Sequence, residues 1–182
     1  VEGLGHYRDL VAWSAAAGLV SAARAAELER QAATLAASAE AVLERARALR
    51  EALHRLFGEC AGGGAPGKAE LAILNAELAR APAIRGLAWA DPGFVWSGAE
   101  AGSRLESVLW PLAWSAAELL TGGDVKRVRA CAGEGCGWLF YDTSRSLSRR
   151  WCAMDDCGNR AKARRHYART KGRASREPAR PT

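Results

Sequence analysis

Four cysteines carry the most definite chemistry in this sequence, spaced Cys131-x4-Cys136-x15-Cys152-x4-Cys157. Two close pairs on two separated loops are the layout that gathers four thiolates around one tetrahedral zinc ion. A gap of four is wide for a zinc knuckle, and Gly133, Gly135 and Gly137 supply the backbone freedom it needs. Four sulfurs close the coordination shell, so the site reads as structural, with no open position for catalysis. Disulfides would need an oxidising compartment, and no secretory leader is visible. Buried thiols without a metal would not account for two matched gaps. Cys60 stands alone beside a Gly-rich loop and reads as a small hydrophobe.

Charge is the second chemical signal. The net +6 is unevenly spread: residues 1–123 hold 11 Lys+Arg against 14 Asp+Glu, and residues 124–182 hold 15 against 6. A basic end on a mildly acidic body suits a polyanion, and DNA is the expected partner. Arg145, Arg149 and Arg150 lie on the loop before Cys152. Arg160, Lys162, Arg164, Arg165 and Arg169 lie on the last helix, with Lys171 beyond them. Arg160 and Arg164 are one turn apart, and Lys162, Arg165 and Arg169 form an adjacent stripe. Such a helix fits a DNA major groove, and Ser144, Ser146 and Ser148 can add hydrogen bonds to phosphate. Trp138, Phe140 and Trp151 read as the small core around the metal. Asn159 reads as a backbone partner at the helix start, Asp142 as a brace for an arginine or the loop, and His166 as a surface residue.

The elements that must position these groups follow from periodicity. Helices are expected over His6–Ala17, from Ser21 to about Leu35, from Ser38 to Gly58, and after Pro66 through Leu71, Leu74 and Leu78. Ile84–Trp89 and Phe94–Trp96 flank Asp91-Pro92-Gly93 and read as a β-hairpin. Ser103 and Glu106 form a capping box for a helix over Arg104–Leu120, kinked at Pro111. Val125–Ala130 and Trp138–Tyr141 read as strands around the first cysteine pair. A final helix should start near Asp155 or Asp156 and run to about Arg169. The expected fold class is α+β, mainly α: a helical N-terminal body with a short β-hairpin, then a small C-terminal four-cysteine zinc finger of β-hairpin and basic helix. The expected divisions are 1–123, 124–170 and a basic disordered tail over 171–182.

Trp13, Trp89, Trp96, Trp110 and Trp114 are many tryptophans for one body. They form either an aromatic core or a pocket for a small-molecule effector, and the core reading is preferred. Ala-rich helices also permit a homodimer. His6, His54 and His166 have no companion nucleophile motif, and Gly62-Gly63-Gly64 lacks P-loop context, so no enzyme is expected. No apolar run is long enough to span a bilayer. The chain starts at Val1 and reads as trimmed. Its Ala-, Arg- and Gly-rich usage is that of a GC-rich bacterial genome.

The run Cys157-Gly158-Asn159-Arg160 resembles the signature of the CGNR zinc-finger family, as do Cys136–Phe140, Tyr141–Arg145, Arg149–Cys152 and Arg160–Arg165. Upstream, Tyr7–Trp13 and Leu109–Ala113 resemble the ABATE domain usually fused to that finger, described as a stress-induced transcription regulator. The resemblance implies a bacterial DNA-binding regulator. One departure is that such proteins usually have an apolar, Asn-containing segment before the first helix, and this sequence reads as starting after it. The resulting expectation is a cytoplasmic, zinc-dependent transcription regulator, nucleoid-associated when on DNA. The alternatives are a protein-interaction adaptor or an RNA-binding protein whose zinc only holds the fold.

Overall fold

A computed structural model describes residues 3–81, 86–90, 93–97 and 104–174, with the side chains of 86–88, 90, 94–97 and 172–174 outside the description. The chain separates into two compact units. One is Val1–Leu56 with Ala65–Val125, and the other is Phe57–Gly64 with the segment from Lys126 onward.

The first unit is built on helices α1 (Tyr7–Ala16), α2 (Ala22–Thr34), α3 (Ala36–Ala61) and α4 (Lys68–Arg80). Ser21 caps α2 as expected, its hydroxyl accepting the Arg24 N–H at 3.2 Å. Two expected boundaries move. α3 begins at Ala36, so Ser38 lies within its first turn, and it continues past Gly58 to Ala61. A glycine weakens a helix interior by only about 1 kcal/mol. Gly63, at φ +77°, takes the left-handed conformation just beyond the helix end. Pro66 precedes the α4 cap Gly67 instead of sitting in the first turn, a place where its missing N–H costs nothing.

Strands β1 (Gly86–Ala90) and β2 (Gly93–Ser97) form the expected antiparallel hairpin, with Trp89 opposite Phe94. Ile84 and the Asp91-Pro92 turn lie outside the described residues, as does Ser103 of the expected capping box. The single helix expected over 104–120 is two elements, a 3-10 turn at Leu105–Leu109 and helix α5 (Trp110–Thr121). Pro111 therefore opens a helix instead of kinking one. Its fixed φ and absent N–H are suited to a first turn.

Tyr7, Leu10 and Val11 of α1, Leu28 of α2, Val42 and Leu43 of α3, and Leu105, Val108 and Leu109 of the 3-10 turn make one core. The Tyr7 hydroxyl donates to the Leu105 carbonyl at 2.8 Å, fixing α1 on that turn. Trp110 and Trp114 pack against Ala81 and Leu78, joining α5 to α4. The buried Glu77 of α4 takes both a 3.0 Å and a 2.6 Å bond from Arg45 of α3. No helix among the described residues is long and apolar enough to cross a membrane.

The second unit contains the paired cysteines. A 3-10 turn (Asp124–Arg127) leads into β3 (Val128–Ala130), paired antiparallel with β4 (Leu139–Tyr141). The expected first strand is thus shorter by its leading turn. A π-helical turn (Met154–Gly158) then opens helix α6 (Asn159–Ala174). α6 runs past Arg169, so the first residues of the segment expected as a disordered tail are helical. Residues 175–182 lie outside the description.

Candidate metal centre

β3 and β4 bring the first cysteine pair up on a knuckle, and the turn before α6 presents the second. The Cys131 N–H donates to the Trp138 carbonyl at 2.9 Å, and the Cys136 N–H to the Gly133 carbonyl at 3.0 Å. The two halves join where the Ala132 N–H donates to the Arg150 carbonyl at 2.9 Å. All four Sγ atoms lie within 4.8 Å of one another. Cys136 and Cys152 are 3.8 Å apart and Cys152 and Cys157 are 3.7 Å apart. A tetrahedron with metal–sulfur bonds of about 2.3 Å has edges of about 3.8 Å, so the donor set fits one zinc ion. The same distances are far too long for a sulfur–sulfur bond of about 2.05 Å, which removes the disulfide alternative.

The shell around the sulfurs is built for negative charge. The Cys131 sulfur accepts the N–H of Cys152 at 3.3 Å and of Gly133 at 3.4 Å. Burial pushes the Cys131 thiol up, but these N–H donors outweigh it and hold the group at about 7. Cys152 is pushed up to about 12, by burial first and then by its sulfur neighbours. Four thiols this close cannot all ionise against one another; a divalent cation supplies the charge that lets them. Zinc held here acts as a structural cross-link.

Two glycines are needed for different reasons. Gly135 has φ +69°, which a side chain would strain. A Cβ on Gly133 would stand 3.0 Å from the Cys157 sulfur and 3.2 Å from Cys136 Cβ. A bound zinc would pin those atoms, so they could not give way. Gly133→Ala should therefore weaken zinc binding by about tenfold or more, the scale of damage to a shell supporting a metal. Gly137→Ala, where a Cβ meets nothing within 4 Å, should leave it unchanged. Competition with a chromophoric chelator measures both, and equal affinities would refute the packing argument.

The expected DNA-contacting residues divide into two groups. Arg160 donates to the Cys157 sulfur at 3.1 Å and pairs with Asp156 at 3.2 Å. Arg164 pairs with Glu134 on the knuckle at 3.1 Å. The Arg149 side chain donates to the Trp151 carbonyl at 2.9 Å and to the Cys152 carbonyl, and lies 4.8 Å over the Phe140 ring. These three guanidiniums hold the finger together. Arg145, Arg150, Lys162, Arg165 and Arg169 are exposed, and Arg150 stacks at 5.2 Å on Trp151. Among the described residues, Arg145, Lys162, Arg165 and Arg169 have no ion-pair partner. Lys162, Arg165 and Arg169 line a groove along α6. Asn159 donates to the Asp155 carbonyl at 3.3 Å, the expected helix-start bond.

Asp142 is fully buried and is the loop's brace. Its two carboxylate oxygens accept the N–H of Ser144 at 2.8 Å and of Arg149 at 3.0 Å. The Ser144 hydroxyl, then the backbone donors and Arg129, hold this carboxyl below its ordinary value. A carboxyl with a lowered folded pKa adds stability above its unfolded pKa and loses it as pH falls through the folded one. That loss lies below about pH 4, more acidic than any pH at which thiolates hold zinc. Asp142→Asn places an amide donor against one of two N–H donors. Its weakening of zinc retention should therefore be constant from about pH 6 to 8 in chelator titrations, and a penalty that varies over that window would refute the ionised brace.

Trp13 is 48% exposed and Trp89 63% exposed, while Trp110 and Trp114 are core residues and the Trp96 side chain lies outside the description. A cavity of about 270 Å³ in the first unit is lined by His6, Tyr7, Arg8, Ala32, Ala36, Ala39 and Glu40, with no tryptophan among them. Trp138, expected in the metal's core, is instead 72% exposed. It stands just before β4, outside the paired residues of the hairpin. Phe140 and Trp151 are half-buried.

Comparison with known families agrees with this geometry. The sequence model of the CGNR zinc finger matches residues 127–170, which contain all four paired cysteines. That of ABATE, described as a putative stress-induced transcription regulator, matches residues 1–123. No curated protein matches the chain. With a helical body matched along its length and a zinc-fitting cluster of four cysteines in the finger that follows, the chain belongs to the ABATE family and carries a C-terminal CGNR zinc finger.

Proposed function

We propose that the protein is a transcription regulator that grips duplex DNA through the outer face of α6. The observation that carries this reading is the division of the finger's cations. Arg149, Arg160 and Arg164 are engaged by carbonyls, a cysteine sulfur and carboxylates within the finger. Lys162, Arg165 and Arg169 recur at helical spacing on a face well away from Arg160 and Arg164, at about 100° per residue. Arg145 on the loop adds a fourth exposed cation. A row of unpaired cations on a rigid helix matches a phosphate backbone and releases its counterions. The zinc sets the helix and the Arg145 loop at a fixed spacing. The helical body is the part through which regulation would enter, and the cytoplasm is where such a protein meets its DNA. The test is duplex affinity as a function of salt for the zinc-loaded chain and for a variant with Lys162, Arg165 and Arg169 replaced by Gln. Equal affinities with the finger folded would leave the finger as a scaffold only.

A further inference from the structure

We propose that the finger holds a second site, a nucleotide-binding cavity at Ser148–Met154, upstream of the α6 stripe in sequence. The cavity has a volume of about 400 Å³ and is lined by Ser148, Arg149, Arg150, Trp151 and Met154. Its size suits a ligand of nucleotide dimensions. Its chemistry is mixed in a specific way. The Trp151 indole and the Met154 thioether give a planar, polarisable wall, and Met154 is 55% exposed. Arg150 lies over the indole at 5.2 Å, and stacking occupies its face and leaves its N–H edge for an anion.

Arg149 is held before any ligand arrives. The Trp151 and Cys152 carbonyls fix its side chain and Phe140 supports it from below. With its Nε and one Nη committed to those carbonyls, its charge is not neutralised and its other Nη is the edge left to meet a phosphate, at little further loss of freedom. The Ser148 hydroxyl, 2.6 Å from that of Ser146, adds a polar group at the rim.

These walls select between ligand classes. Inorganic phosphate would satisfy the guanidiniums and leave the indole and thioether in water. A neutral apolar ligand would cover them and strip water from two cations without replacement. A ligand with a planar base joined to a phosphate answers both demands. Two sources share that chemistry: an unpaired nucleotide in a nucleic-acid strand, and a free mononucleotide. The site goes beyond the duplex contact proposed above and uses none of its residues, so either can fail alone.

The zinc-loaded full chain is titrated with dAMP, with inorganic phosphate and with a short single strand carrying 2-aminopurine, followed by its fluorescence. Arg150→Gln and Met154→Ala are the variants, each checked for one zinc per chain and for wild-type duplex affinity. Binding of the strand at least about tenfold tighter than dAMP identifies an unpaired base, and equal binding identifies the free nucleotide. In either case both variants should lose about tenfold, the scale of one stacking or phosphate contact. If inorganic phosphate displaces dAMP at matched concentration, or if both folded variants bind the nucleotide and strand like wild type, the site is refuted.

Discussion

Stripping zinc from the full chain should unfold the finger and leave the helical body intact. Among the described residues of the second unit, the buried apolar side chains are Val128, Cys131, Cys157 and Ala161, and two of these are metal ligands. Asp142, the other fully buried side chain, organises a loop but adds no apolar area. At roughly 1.5–3 kcal/mol for a fully buried aliphatic side chain, Val128 and Ala161 cannot offset the ordering of some forty residues. Structural zinc in small fingers supplies on the order of 10–16 kcal/mol at neutral pH, so its removal decides the outcome. The first unit keeps the Tyr7–Leu109 core, which contains no cysteine ligand. Hydrogen exchange before and after chelation should show protection lost over β3, β4 and α6 and retained in α1–α3. Cys157→Ser should reproduce the result without chelator, because Cys157 is buried at 1% exposure and receives Arg160. Protection surviving in β3 and β4 after full metal loss would refute the structural role. Affinity should also fall as pH drops, since zinc binding displaces protons from thiols held at or above the neutral range.

The metal site was legible because its information is local. Two paired gaps, three glycines and the closing helix all sit within one short stretch, and spacing alone brings the sulfurs together. The helices were legible for the same reason, through apolar residues at every third or fourth place. Their ends were less so. Ser38 is a good cap, yet α3 already begins at Ala36, and Gly58 is tolerated because the helix around it is packed. What could not be read was which cations were already committed. Arg160 and Arg164 look identical to Lys162 and Arg165 in sequence. Arg164 depends on Glu134, thirty positions upstream, and Arg160 on Cys157 and Asp156, three and four positions upstream on a π-helical turn that apolar periodicity does not reveal. Trp138 misled for a related reason. Aromatic residues beside a metal site are normally core, but Trp138 stands just before β4 and is left exposed. In the body, Trp110 and Trp114 are buried together against Ala81 and Leu78.

The engaged and the exposed cations of α6 should respond oppositely to substitution. Replacing Lys162, Arg165 and Arg169 together by Gln should lower duplex affinity on the order of 100-fold near 0.15 M salt. The plot of log affinity against log salt should flatten by about one unit for each cation removed, because each released phosphate counterion contributes about 0.9. All three side chains are exposed and have no ion-pair partner among the described residues, so zinc stoichiometry and thermal stability should not change. Arg160→Gln should do the reverse. It removes the donor to the Cys157 sulfur and the Asp156 ion pair, so zinc is lost about tenfold more readily to a chelator. With zinc in excess, its duplex affinity and salt slope should stay within about threefold of wild type, because its charge already answers a thiolate and a carboxylate. Arg164→Gln, paired with Glu134, should behave like Arg160→Gln in its salt slope. Isotherms at several salt concentrations separate the two sets. A slope lost equally in both sets would mean that the whole helix meets the phosphates, and that the ion pairs seen inside the finger exchange for DNA on binding.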